Sequence, residues 1–229
     1  MVIWLRLFLQ EPDGALIKSS QKGNGMFKMP FRRQPHKQQE KIRLPNLKAK
    51  DVYLRFPMID DYKEWAAVRT ESRPFLEPWE PLWPADAHTL TRYKNHLERY
   101  IEGRKNGQFF VFFVFLNDNN NLIGGISLGN IRRGVVQSGE IGYWCGEKYS
   151  GHGFMHESLE LMVDFAFQQL KLHRLQAATI PTNIRSISLL EKCGFVREGL
   201  MRSYVKIHGE WQDHYLYSLL ETERTTKSI

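Results

Sequence analysis

The sequence predicts an α/β fold in which hairpins are combined with strand–loop–helix units, and three observations carry that expectation. FFVFFVFL (109–116) and LIGGISLGNI (122–131) flank Asn117-Asp118-Asn119-Asn120-Asn121, whose side chains favour turns and left-handed backbone, so the two runs form a hairpin. EIGYWC (140–145) leads through the loop GEKYSGHG into FMHESLELMVDFAFQQL, where Leu159, Met162, Val163 and Phe167 share one helical face. HRLQAATI (173–180) feeds a further helix ending at Gly194, and FVREGLMRSYVKI with WQDHYLYSLL form a closing hairpin around His208-Gly209.

The remaining elements follow in chain order. Met1 to Leu9 (MVIWLRLFL) is apolar but lacks a basic leader and a small-residue cleavage site, and about 20 residues are needed to span a bilayer, so no signal peptide or membrane helix is expected. Residues 10–50 are polar, basic and broken by Gly and Pro, which reads as an arm or linker with the nine apolar residues packed back on the body. VYLRFP from Val52 alternates as a strand, Asp60-Asp61 caps a short helix through Trp65, Ala66 and Val68, and Pro74, Pro78, Pro81 and Pro84 break the stretch after it. Ala85 to Gly103 reads as a helix with Leu90, Tyr93, Leu97 and Tyr100 on one face. The expected division is a basic arm over 1–50, one domain over 51–220 and a tail over 221–229.

Composition narrows the function. With 229 residues, 42% hydrophobic and 13% aromatic, the chain is long enough and apolar enough for an ordinary core, which excludes disorder throughout. Residues 1–50 hold 11 Lys and Arg against 3 Asp and Glu, whereas residues 51–229 hold 21 against 22. The surplus charge is thus confined to the arm, and the folded part lacks the basic face of a dedicated nucleic-acid domain. Cys145 and Cys193 form no CxxC and the histidines have no ligand spacing, so no disulfide, no metal and a reducing, cytoplasmic setting are expected.

A strand feeding a glycine loop into a helix start is suited to an anion, because the first-turn N–H groups are unpaired and the helix dipole is positive there. The loop matches neither GxxxxGK[ST] nor GxGxxG, so nucleotide hydrolysis and dinucleotide binding lack their fingerprints. Lys148-x-x-Gly151-x-Gly153, then Asn183-x-x-Ser186, then Leu189-x-Glu191-Lys192-x-Gly194-Phe195 resemble the GNAT superfamily of acetyl-CoA-dependent N-acetyltransferases. FLEPWEP, GYW, GFMHES, LHR and GEWQDH resemble its RimJ-type branch, which acetylates the N-terminal alanine of a bacterial ribosomal protein.

The resemblance implies a mixed, mostly antiparallel central sheet flanked by helices, with acetyl-CoA in its cleft. Backbone N–H groups from Tyr149 through Ser150, Gly151, His152 and Gly153 to Phe154 would hold the pyrophosphate, with Lys148 as a nearby cation. Pantetheine would lie along main-chain groups of Ile141 and Tyr143, and Asn183 and Ser186 would reach the CoA arm, unless Asn183 is a plain helix cap.

Acetyl transfer by direct attack in a ternary complex needs a base and an acid. Glu140, the only carboxylate of its strand, is the expected base, working through a water. Many family members carry a Tyr acid seven residues after the Asn; Leu190 stands there, and Ser186 is the substitute. Phe75, Leu76, Trp79 and Trp83 are the expected acceptor wall, set against their alternative as core. The expected partners are a ribosomal-protein N-terminus and, through the arm, rRNA, with the chain a monomer or homodimer and no membrane contact. The alternatives are a polyamine or aminoglycoside acetyltransferase, for which Glu77, Glu80 and Asp86 would supply an acidic pocket, and a CoA- or RNA-binding module without turnover.

Overall fold

The structure is a computed structural model that describes residues 2–3 and 47–225. The expected arm, apart from Val2, Ile3 and residues 47–50, and residues 226–229 lie outside the described residues. The strands are β1 (Val2–Ile3), β2 (Leu47–Lys48), β3 (Val52–Arg55), β4 (Phe110–Leu116), β5 (Leu122–Arg132), β6 (Ser138–Cys145), β7 (Arg174–Thr179), β8 (Val196–Ile207) and β9 (Glu210–Leu220). They form one sheet in the order β2-β3-β4-β5-β6-β7-β9-β8, with β1 added to β6. Every pairing is antiparallel except that of β6 with β7, so the sheet is mixed and mostly antiparallel as the sequence implied.

β4 and β5 are buried on both faces, which is why their sequences are apolar without strict alternation. On one face Phe110, Phe112, Val114 and Tyr143 pack under α4 (Phe154–Asp164) and α5 (Ile184–Lys192). On the other, Phe113, Phe115 and Leu122 meet Trp65 and Val68 of α1 (Tyr62–Glu71) and Tyr93 of α3 (Leu90–Lys105). The helix layers thus cover both faces of the centre of the sheet, and the two ends of β6 emerge between them.

Four boundaries differ from the sequence reading, each for a local reason. After β1, the sheet resumes at Leu47, ahead of residue 51. Thr89 accepts the Arg92 N–H at 3.3 Å, so α3 starts at Leu90 and residues 85–88 form turns. The proline-rich stretch is helical: α2 (Arg73–Leu76) and a 3-10 turn (Glu77–Trp79) place their prolines in the first turn, where the missing N–H has no intrahelical partner anyway. The expected tail begins with α6 (Glu221–Thr225), whose Arg224 bonds Asp164 at 3.0 Å and pairs with Glu160, pinning it to α4. Asp61 stands before α1 but does not cap it; its carboxylate accepts the Met58 N–H at 2.7 Å and forms a two-point pair with Arg55. Among the described residues no helix is long and apolar enough to cross a membrane.

Candidate active site

β6 and β7 pair only from Ser138–Glu140 to Arg174–Gln176, and beyond that point they diverge. The β6 edge past Glu140 therefore borders a gap whose far end opens at the glycine loop. One buried polar atom on the bordering strands, Thr179 Oγ1, has no hydrogen-bond partner. An orphaned polar atom of this kind is uncommon in folded proteins and suits a ligand that carries its own donors and acceptors. The main-chain edge expected to hold pantetheine is, in this structure, paired with β1: Val2 lies opposite Trp144 and Ile3 opposite Tyr143. Cys145 ends the strand fully buried, and burial pushes its thiol up to about 12, which removes it as a nucleophile.

The loop after β6 opens with a 3-10 turn in which the Tyr149 and Ser150 N–H groups donate to the Gly146 and Glu147 carbonyls, both at 3.0 Å. Those two N–H groups are engaged, which corrects the expected anion-binding set. The N–H groups from Gly151 to Met155 donate to no main-chain carbonyl among the described residues. Gly151 and Gly153 have φ of +89° and +88°, and a Cβ on either would enter open space, so the backbone here is both exposed and dependent on glycine. Gly153 is the residue preceding α4, and the exposed N–H groups run directly into the positive end of that helix. His152 stacks on Phe154 with ring centroids 5.6 Å apart. Lys148 pairs with Glu71 at 3.5 Å. Two cations the sequence reading missed, Arg185 and Lys192, share an open cavity of about 350 Å³ with the loop; both lie on α5, and only the fold brings them to the loop.

A second cavity of about 110 Å³ lies on the opposite face of the sheet, over β4, β5 and β6. Its floor includes Gly125, Ser127 and Gly142, where small side chains leave room, and Trp144. A Cβ on Gly125 would lie 2.5 Å from Trp144 Nε1, so this glycine sets the position of the indole. Arg69 and Glu80 form a buried two-point pair at 3.1 and 2.5 Å, and Trp83 Nε1 donates to the same carboxylate at 2.5 Å. The Arg69 guanidinium lies over both the Trp83 and the Trp144 rings.

Two further wall residues are histidines. Arg69 Nε donates to His88 Nε2 at 3.5 Å, which leaves the imidazole proton on Nδ1 facing Thr70 Oγ1. Burial, aided by neighbouring arginines, pushes both His88 and His96 down to about 4, so both are neutral at physiological pH. The unfolded chain takes up protons at these positions below about 6.5 and the folded chain does not until about 4. Their contribution to stability is therefore complete above about 6.5 and falls as pH drops through that window. A melting series should show Tm decreasing from pH 6.5 to 4 with a slope reduced in His88→Gln/His96→Gln; an unchanged slope would contradict the assignment.

The other expected site residues fall as follows. Of the proposed acceptor wall only Trp83 lines this cavity; Leu76 is fully buried core and Phe75 lies under the Arg185 guanidinium, while Trp79 lies in the 3-10 turn outside the lining. Alternation along β6 puts Glu140 on the same side as Gly142 and Trp144, and Asn130 Nδ2 donates to its Oε2 at 2.8 Å. Asn183 is buried as the cap of α5, its Oδ1 accepting the Ser186 N–H at 3.3 Å, so the side chain serves the helix. Ser186 is wholly enclosed and acts on the Tyr143 hydroxyl, whose ionisation burial pushes far above the usual phenol range. Like Glu140, it lines neither cavity, but unlike Glu140 it is fully enclosed, which removes it as the acid. Leu190 is core. His156, Glu160 and Cys193 bring potential metal-ligand atoms within 4.8 Å of one another, but Arg224 already supplies the cation at Glu160.

Residues 51–196 match the family described as Acetyltransferase (GNAT) domain. The chain is 36% identical over 177 residues to the Probable N-acetyltransferase YjcK of Bacillus subtilis, covering 77% of this chain and 98% of that protein. It is 32% identical over 170 residues to the ribosomal protein uS5-alanine N-acetyltransferase of Escherichia coli, covering 73% of this chain and 88% of that protein. Among solved structures, Mycobacterium smegmatis RimJ in complex with CoA-disulfide superposes with a TM-score of 0.72 at 30% identity, covering 75% of this chain and 83% of that one.

Proposed function

This chain belongs to the GNAT acetyltransferase family and is an acetyl-CoA-dependent N-acetyltransferase; from that premise we propose that its acceptor is the N-terminal amine of a protein, with the N-terminal alanine of a ribosomal protein as the substrate. The glycine loop, the diverging β6 and β7 and the orphaned Thr179 hydroxyl fit acetyl-CoA laid from the loop along the gap. The acetyl end then reaches the middle of β6, with the second cavity on the other face receiving the amine.

One observation separates a peptide terminus from a polycation. Each carboxylate that would form an acidic pocket is neutralised by an arginine: Glu77 by Arg73 at 2.9 Å, Glu80 by Arg69, and Asp86 by Arg92 at 3.0 Å. What remains is a cavity walled by indoles and neutral imidazoles, which favours a small apolar residue beside a single amine over spermidine. An N-terminal peptide beginning Ala should be acetylated with kcat/KM at least about tenfold above spermidine, about 1.4 kcal/mol in transition-state binding. The reverse ranking would contradict the reading.

The α-amine arrives protonated in part and must lose a proton before attacking the thioester carbonyl. Glu140, held by Asn130, is the base in this proposal, taking the proton through a water. Glu140→Gln should lower kcat by roughly 10²- to 10⁴-fold and leave the acetyl-CoA Kd unchanged. Full kcat in that variant from pH about 6 to about 9 would make Glu140 structural.

A further inference from the structure

The strand paired to β6 is formed by Val2 and Ile3 of the same chain. Val2 and Ile3 lie antiparallel to Trp144 and Tyr143, on the stretch of β6 that its parallel neighbour has left, and next to the loop whose N–H groups are exposed. An extended peptide and a pantetheine arm make the same demand on such an edge, because both present amide N–H and C=O groups in series. They cannot occupy it together. The strand also lies outside the stretch that matches the family, which starts at residue 51. The relative YjcK is covered to 98% by 177 residues of this chain, a match that takes up 77% of this chain and leaves the rest without a counterpart there.

We propose that β1 is an exchangeable plug: residues 2–3 occupy the pantetheine edge of β6 in the free protein and are displaced by acetyl-CoA. The plug rests on the reading of this gap as the acetyl-CoA slot. The strand is part of the same chain as the sheet, and such covalent linkage raises its effective concentration to as much as about 1 mM, so a contact of two residues competes without strong intrinsic affinity. The apparent affinity for acetyl-CoA is then the intrinsic one reduced by the fraction of molecules with the edge open. A signal that draws the N-terminal segment elsewhere, such as its binding to another macromolecule, would raise the affinity for acetyl-CoA with no change in the catalytic domain.

The test is calorimetric titration of acetyl-CoA into three proteins: the full chain, the full chain carrying Val2→Pro/Ile3→Pro, and a form lacking residues 1–9. Proline removes the N–H groups that pair with a neighbouring strand, so the double variant opens the edge even where the deletion fails to fold. With the plug engaged in about nine molecules of ten, both altered forms bind acetyl-CoA about tenfold more tightly than the full chain. A synthetic peptide of residues 1–9 then weakens acetyl-CoA binding to the deleted form in a dose-dependent, competitive manner. Equal Kd values in the full chain and both altered forms would overturn the plug. Absence of acetyl-CoA binding in all three would overturn the reading of the slot itself, a result distinct from the first.

Discussion

Gly153→Val weakens acetyl-CoA binding by on the order of 100-fold. Two effects add. At φ +88° a side chain meets the left-handed penalty of roughly 1–2 kcal/mol, and relief of that strain turns the N–H groups of the first α4 turn away from the anion. Each lost hydrogen bond to a charged phosphate group is worth about 1.5–3 kcal/mol. A total near 3 kcal/mol corresponds to about two decades in Kd. The open space around the glycine means that no core contact is lost, so the melting temperature should fall only by the few degrees that the backbone strain itself costs. Calorimetry decides, and an unchanged affinity would remove the loop from the acetyl-CoA site.

Arg69→Met is expected to have the largest effect on stability. Glu80 is fully buried and its carboxylate is held by Arg69 and by Trp83 Nε1; removing the guanidinium leaves a buried charge with one neutral donor. Breaking a buried pair from one side costs about 3–5 kcal/mol, which for a domain of this size lowers Tm by about 10 °C. The same change frees the Trp83 and Trp144 rings that the guanidinium spans, so the acceptor cavity loses its shape along with its charge balance. Glu80→Leu added to Arg69→Met should recover most of the loss, since an apolar pair of similar volume is tolerated where a lone charge is not. A single variant melting within about 1 °C of the parent would show that the pair contributes little.

The sheet and its helices were legible because the signals are local. Period-2 and period-3.6 patterns, the asparagine turn and the helix-ending Gly194 each state their own conformation within a few residues, and the structure places those elements where the patterns put them. The glycine loop was legible for the same reason, since both glycines that the backbone needs at positive φ are neighbours in sequence. The proline stretch misled because Pro74 and Pro78 break a helix interior but are welcome in a first turn, and composition alone does not give the register.

The acceptor cavity was mostly illegible. Arg69 and Glu80 come from elements separated by two short helical turns, while His88 and His96 flank the start of α3; their convergence is a property of how α1 and α3 cross the sheet. Three carboxylates read as an acidic pocket turn out to be paired, because ion pairing depends on neighbours that only the fold supplies. Ser186 and Asn183 were chosen for their place in the Asn183-x-x-Ser186 motif, and the structure shows that place to be a buried helix cap.

The most direct test of the acceptor assignment is to incubate the protein with acetyl-CoA and a peptide that begins with alanine and carries an internal lysine, then to locate the acetyl group by tandem mass spectrometry. The account predicts a single acetyl group on the α-amine of the alanine, formed in step with release of free CoA thiol. Acetyl carried on the lysine ε-amine with the α-amine untouched, or spermidine acetylated while the peptide is not, would contradict it.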